Sequence, residues 1–153
     1  MSVDTMARLF ELKNIIGVKD ATGDLNRVDK QKEKMGNEFI QLSGEDATAL
    51  EFNLRGGVGC ISVTANLAPK LCSEFQNASL SKNNSNLLAK ANTINDQLMP
   101  LHKALFIESS PSPVKYGASL LKFCSDEVRL PLVKITENTK NAVKSAMLHA
   151  NLI

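Results

Sequence analysis

Histidine and cysteine are scarce in this chain. There are two of the first, His102 and His149, and three of the second, Cys60, Cys72 and Cys124. The histidines have no neighbouring ligand set, and no pair of cysteines has redox or metal-ligand spacing, so the sequence predicts no metal site. Buried, reduced thiols in a cytosolic protein are the expectation. Tryptophan is absent and tyrosine occurs once, at Tyr116. Opposite charges nearly cancel, leaving +2 over 153 residues. That is too little for the electrostatic footprint of a nucleic-acid or membrane-surface binder, so neither partner is expected. The densest charge cluster, Lys30-Gln31-Lys32-Glu33-Lys34, mixes signs and reads as a solvated helix face. No apolar run is long enough to span a bilayer and no stretch reads as a signal peptide, which makes the cytoplasm the expected location. An apolar fraction of 43% and a charged fraction of 22% are those of an ordinary globular protein. The length fits one domain or a piece of a larger one.

One stretch organises the rest: Asn14-Ile15-Ile16-Gly17-Val18-Lys19-Asp20-Ala21-Thr22-Gly23. A short continuous apolar run suits a parallel strand buried on both faces, here over 15–18. Lys19 follows where the strand gives way to a Thr-Gly-Asp loop, at the carboxyl end, where chemistry collects in parallel sheets. Such a lysine either marks the strand end and reaches solvent, the commoner case because buried Lys is rare, or is partly shielded. Shielding lowers its pKa, and a neutral amine attacks carbonyls to form a Schiff base. Thr22 either orients the lysine or bonds local backbone, and the local role is favoured.

Taken in order, residues 3–12 show helical spacing through Met6, Leu9, Phe10 and Leu12, with Ser2 or Asp4 as cap. This helix starts almost at the first residue with nothing before it to cover its apolar side, a hint of missing sequence. Asp24 caps a helix over 25–34 that Gly36 ends. Strands are predicted over 39–42 and 58–61, separated by a helix over 47–54 that Gly56-Gly57 breaks. Asn66 then caps a helix over 67–78. Strand and helix alternate in the manner of parallel βαβ units, at the spacing of a (β/α) barrel. The pattern changes after the Ser/Asn-rich turn at 81–86. Helices are predicted over 87–106, kinked at Pro100, over 114–123, and from Thr136-Glu137 to about 148. No strand follows Ile61. Three strands leave two unpaired edges and bare apolar faces, so the chain reads as the end of a barrel plus trailing helices.

Five segments carry a resemblance. Gly17-Val18-Lys19-Asp20-Ala21-Thr22-Gly23-Asp24-Leu25 resembles the Schiff-base lysine segment of the dihydrodipicolinate synthase (4-hydroxy-tetrahydrodipicolinate synthase) family. Leu42-Ser43-Gly44-Glu45-Asp46 is similar to that family's next strand exit, and Gly56 through Asn66 to its glycine-rich last strand and loop. Leu98-Met99-Pro100-Leu101-His102 and Pro113-Val114-Lys115-Tyr116 resemble segments of its C-terminal helices. The likeness covers essentially the whole chain, with the segments in the family's order.

The resemblance implies an α/β fold: a partial TIM (β/α)8 barrel, its last three β/α units, followed by a C-terminal helical bundle. Residues 1–80 would form the barrel part and 81–153 the helical region. It implies a class I, Schiff-base pyruvate aldolase that condenses pyruvate with aspartate semialdehyde in lysine and diaminopimelate biosynthesis, with no metal or organic cofactor. Lys19 would be the imine-forming residue, Ile61 would offer a backbone carbonyl near bound pyruvate, and Gly44 would line the floor of the site. Gly56, Gly57 and Gly59 either let backbone approach a ligand or serve turn and packing geometry. Members of the family are commonly tetramers, so a homo-oligomer is expected of the assembled enzyme. The family's carboxylate-binding threonines, catalytic tyrosines and aldehyde-recognising arginine belong to the first half of its barrel, and no position here matches them. Tyr116 falls in the helical tail and is not the proton relay. The chain therefore resembles the C-terminal half alone. It is expected to be inactive by itself, and either a separately encoded N-terminal half completes it or it is a truncated, vestigial polypeptide. A related 2-keto-acid aldolase such as N-acetylneuraminate lyase ranks second, because Ser62-Val63-Thr64-Ala65-Asn66 is similar to the dihydrodipicolinate branch.

Overall fold

Two short strands and seven α-helices carry the chain in the computed structural model, which describes residues 1–153. In order they are α1 (Val3–Phe10), β1 (Gly17–Asp20), α2 (Asn26–Met35), β2 (Ile40–Ser43), α3 (Ala49–Arg55), α4 (Pro69–Leu80), α5 (Ser85–Ala104), α6 (Ser112–Leu120) and α7 (Glu137–His149). Single 3₁₀ turns precede α3, at Asp46–Thr48, and α4, at Thr64–Asn66. None of the helices is long and apolar enough to cross a membrane.

β1 and β2 pair in parallel, with Gly17 opposite Ile40 and Lys19 opposite Leu42. β1 begins two residues later than the apolar run predicts. The amide of Ile15 is tied back to the carbonyl of Leu12 in a turn, so the ladder starts only where Ile16 accepts from Ile40. Lys19 consequently lies within the strand rather than after it. The third strand is corrected more heavily. Residues 58–61 are joined to β2 by the bonds Val58 N–H to Gln41, Ser43 N–H to Gly59 and Ile61 N–H to Ser43, yet only Ser43 and Cys60 form a parallel bridge. Gly59, at φ 157°, lies outside the strand region of backbone space, which breaks the regular ladder beside the bridge.

The chain divides into two compact units. The first comprises Met1–Ser62 with Gln76–Leu88 and holds the sheet. Of the two caps expected for α1, Ser2 rather than Asp4 serves, accepting from the amide of Thr5. α1 turns Met6 onto Met35 and Phe39, with Val3, Phe10 and Val18 around them, and Phe10 meets Phe39 edge to face at 5.0 Å. α2 buries Val28, Gln31 and Met35, spaced three and four residues apart on one face. Its cap is shared: Leu25 occupies the N-cap position without a side-chain bond, while the Asp24 carboxylate accepts from the amide of Asn26. Gly36 ends the helix at φ 76°, a left-handed conformation that favours glycine.

The second unit comprises Val63–Phe75 with Ala89–Ile153. Its core joins Leu101 and Ala104 of α5 and Leu105 just after it to Val114 of α6, Val143, Ala146 and Met147 of α7, and Leu67. α6 approaches Leu67 closely because Gly117 has no side chain: a Cβ there would lie 2.6 Å from Leu67 Cδ1. Inside the unit, buried Thr64 and His102 share a 2.7 Å hydrogen bond. Pro100 lies within α5, which continues past it to Ala104. Thr136 caps α7 by accepting from the amide of Thr139, as expected, while α5 and α6 each begin two residues earlier than predicted.

Candidate active site

Strand alternation decides which side chains share a face. Lys19 pairs with Leu42, so the two lie on the same side of the sheet, with Gly17 and Ile40 behind them. Gly44, two residues after Leu42, continues that face. Ile61, one residue past the Ser43–Cys60 bridge, falls on it as well. Lys19, Gly44 and Ile61, which the family resemblance selects from three separate segments, thus occupy neighbouring positions on one side of one sheet.

The geometry there is close. The amide of Gly44 donates to the carbonyl of Asp20 at 2.8 Å, extending the ladder just beyond the strand ends. A Cβ at Gly44 would lie 2.7 Å from Lys19 Cε and 2.7 Å from Ala21 Cβ. The lysine stem therefore passes directly over Gly44, through space that any side chain would fill. Gly17 plays a comparable part behind it, since a Cβ at that position would strike the Ile40 carbonyl oxygen at 2.2 Å. Lys19 itself is exposed, and the shielding that its role would call for is not supplied by these three segments. Ile40 and Ile61 on the same face are 39% and 49% exposed, so this is a bare apolar surface with one amine on it.

The opposite side of β1 is the reverse. Asp20, next to Lys19, is only 8% exposed and faces α2. Its carboxylate accepts from the Thr22 amide at 3.0 Å, the Thr22 hydroxyl at 2.6 Å, Arg27 Nε at 2.7 Å and Gln31 Nε2 at 2.9 Å. Burial by itself would raise the carboxyl pKa, but the bonds from Thr22, Arg27 and Gln31 outweigh it and hold the group at about 2, below its ordinary 3.8. Thr22 also accepts from the amide of Asp24, which gives it the local role favoured from sequence. Sequence reasoning missed Asp20 as a structural centre. A signal was present: Asp-x-Thr forms a compact side-chain-to-backbone turn, and Arg27 and Gln31 stand four residues apart on one face of α2.

The remaining glycines of the glycine-rich segment answer to turn and packing geometry. A Cβ at Gly57 would fall 2.2 Å from Cδ1 of the Phe52 ring, and Gly56 ends α3 at φ 136°. A Cβ at Gly59 would meet Leu42 Cδ2 at 3.3 Å, a tight contact on the Lys19 face.

The chain is 66% identical over its whole length to the 4-hydroxy-tetrahydrodipicolinate synthase of Pelagibacter ubique, of which it covers 52%. It is 58% identical to that of Methylobacterium radiotolerans, of which it covers 50%. Its fold superposes on the dihydrodipicolinate synthase of Acinetobacter baumannii, solved in complex with pyruvate, with a TM-score of 0.92 at 38% identity, over 99% of this chain and 51% of that one. The chain thus spans about half the length of the relatives it matches. The model of the dihydrodipicolinate synthetase family matches residues 1–150, and with that lysine-bearing sheet, its order of segments and these relatives, the chain belongs to the dihydrodipicolinate synthetase family.

Proposed function

We propose that this chain is the lysine-bearing, C-terminal half of a Schiff-base pyruvate aldolase of the 4-hydroxy-tetrahydrodipicolinate synthase type. In this reading residues 1–80 are the last three β/α units of a (β/α)8 barrel and residues 81–153 the helical region that follows. The observation that carries it is the exposed sheet face on which Lys19, Gly44 and Ile61 meet, with the lysine stem lying over a glycine. The amine of Lys19 attacks the ketone carbon of pyruvate, and loss of water leaves an imine. The imine withdraws electrons from the adjacent methyl carbon, which gives up a proton to form an enamine. The enamine carbon attacks the aldehyde of aspartate semialdehyde, whose oxygen takes up a proton. The amine of the added segment then displaces the enzyme's amine as the product cyclises, returning Lys19. No metal is required, because the imine itself is the electron sink. Gly44 leaves room beneath the bound pyruvate, and the Ile61 carbonyl lies beside it. The product feeds lysine and diaminopimelate biosynthesis, and the compartment is the cytoplasm.

The chain by itself is inactive in this proposal. General acid–base groups typically contribute about 10²–10⁴-fold, and none on the Lys19 face serves as a relay. The bare face, with Ile40 and Ile61 open to solvent, fits an N-terminal half that covers it, and the completed barrel would assemble as a homo-oligomer such as a tetramer. Incubation with pyruvate and borohydride tests the reading. A reduced pyruvate adduct is expected on Lys19, formed slowly. Equal labelling of Lys32 and Lys82 would remove the special role of Lys19.

A further inference from the structure

We infer that Asp20 is the positioning residue for Lys19: its carboxylate locks the root of the lysine, and its main chain builds the slot along which the lysine stem lies. The inference rests on the proposed role of Lys19. Three observations lead to it. Asp20 follows Lys19 directly and projects from the opposite side of the strand, so whatever holds Asp20 also fixes the peptide that sets the Lys19 Cα–Cβ direction. Its side chain takes four hydrogen bonds, from both the loop, at Thr22, and the first and second turns of α2, at Arg27 and Gln31. Its carbonyl accepts the amide of Gly44, the residue over which Lys19 Cε passes. One residue thus ties the strand, the exit loop, the helix and the glycine slot together at the base of the reactive amine. The ionic contact with Arg27 is well shielded, the two side chains being 5% and 18% exposed, so it is not the loose pair of charges common on surfaces.

An ordinary structural anchor would stabilise β1 without affecting where the amine points. Two variants of the full chain separate the alternatives. Asp20→Asn keeps the shape but turns an acceptor oxygen into a donor facing donors. Gly44→Ala places a methyl in the slot, against Lys19 Cε and Ala21 Cβ, at a residue whose backbone lies outside the left-handed region. The first readout is the side-chain order of Lys19 Cε by nuclear magnetic relaxation, with Lys32 and Lys82 as references. The second is the rate of pyruvate–borohydride labelling at Lys19. In the natural chain Lys19 Cε is expected to be clearly more ordered than the reference lysines. Both variants should release it and slow its labelling about tenfold or more, since displacing a reacting group by about 1 Å costs up to about 10²-fold. Asp20→Glu, which keeps the charge, should restore part of the order. The inference is overturned if Lys19 Cε in the natural chain moves as freely as Lys32. It is also overturned if Asp20→Asn mobilises Arg27 but leaves Lys19 order and labelling unchanged. An ordered Lys19 that both variants release, but that takes no pyruvate adduct even in the natural chain, would sink the aldolase reading and leave the positioning role standing. Should Asp20→Asn fail to fold, Thr22→Val, which removes the 2.6 Å hydroxyl donor to the Asp20 carboxylate, takes its place with the same two readouts and the same overturning result.

Discussion

A strand residue has two neighbours of opposite character when its two sides face different surroundings, and Lys19 and Asp20 are such a pair. The carboxylate is buried among four donors, while the amine next to it sits on an open face. Replacing Lys19 by Met is therefore expected to abolish the pyruvate–borohydride adduct while leaving helicity by circular dichroism unchanged, because an exposed side chain with no partner in the core is removed. Asp20 makes a prediction about acid. Its pKa is depressed from 3.8 to about 2 in the folded chain, so its contribution is complete above the unfolded value and is lost as pH falls through the folded one. The size is on the order of 2 kcal/mol. Carbon-13 titration of the Asp20 carboxyl should give a midpoint near 2, and a midpoint near 3.8 would show that the cluster does not hold in solution.

Elements here are bounded by side chains that satisfy loose backbone groups or by glycines where something passes close. α7 begins at Thr136, whose hydroxyl accepts the Thr139 amide while its amide and hydroxyl donate to Glu108. Thr136→Ala removes that cap, which costs about 1 kcal/mol, so amide exchange in the first turn of α7 should quicken roughly fivefold. The end of α3 shows the other device. Gly57 lies against the Phe52 ring so closely that a methyl would overlap it, and Phe52 is buried. Gly57→Ala should loosen α3 by about 1–3 kcal/mol, read as faster exchange of the amides of α3, with α7 unaffected. Equal change in both helices would mean that they do not open independently.

At the scale of the whole molecule, the sheet is too small for the apolar surface it carries. Ile16, Ile40, Val58 and Ile61 are 63%, 39%, 52% and 49% exposed. Each large aliphatic buried contributes about 1.5–3 kcal/mol, and leaving several of them in water removes much of a domain's margin. Sheet edges without neighbours also invite association. The isolated chain is expected to show strong helicity, to bind apolar dyes and to melt broadly with aggregation. Mixing with a polypeptide matching the other half of its relatives should sharpen the melt and remove dye binding. A monomer with one steep transition and no dye binding would show that the sheet needs no covering.

The order of elements was legible in the sequence because it depends on local matters: apolar runs for the strands, spacing for α2 and α7, caps at Ser2 and Thr136, and a left-handed Gly36. Lys19 was one of two open readings of a strand end until the family resemblance selected it, and Gly44 and Ile61 were legible only through that resemblance, since no spacing connects positions so far apart in the chain. What the tertiary structure alone decided is how they relate. The turn that holds Ile15 delays β1 by two residues and draws Lys19 into the strand. The register of β1 on β2 puts Lys19 beside Leu42, and the single bridge at Cys60 brings Ile61 to the same face. The Asp20–Thr22 turn had a local signal, but the roles of Arg27 and Gln31 as donors to Asp20 were hidden for the same reason. A buried carboxylate is recognised by its donors, and two of the donors to Asp20 come from a helix whose packing against the strand no local pattern specifies. Local chemistry determines what each segment becomes, and long-range hydrogen bonding and steric contact determine which residues meet.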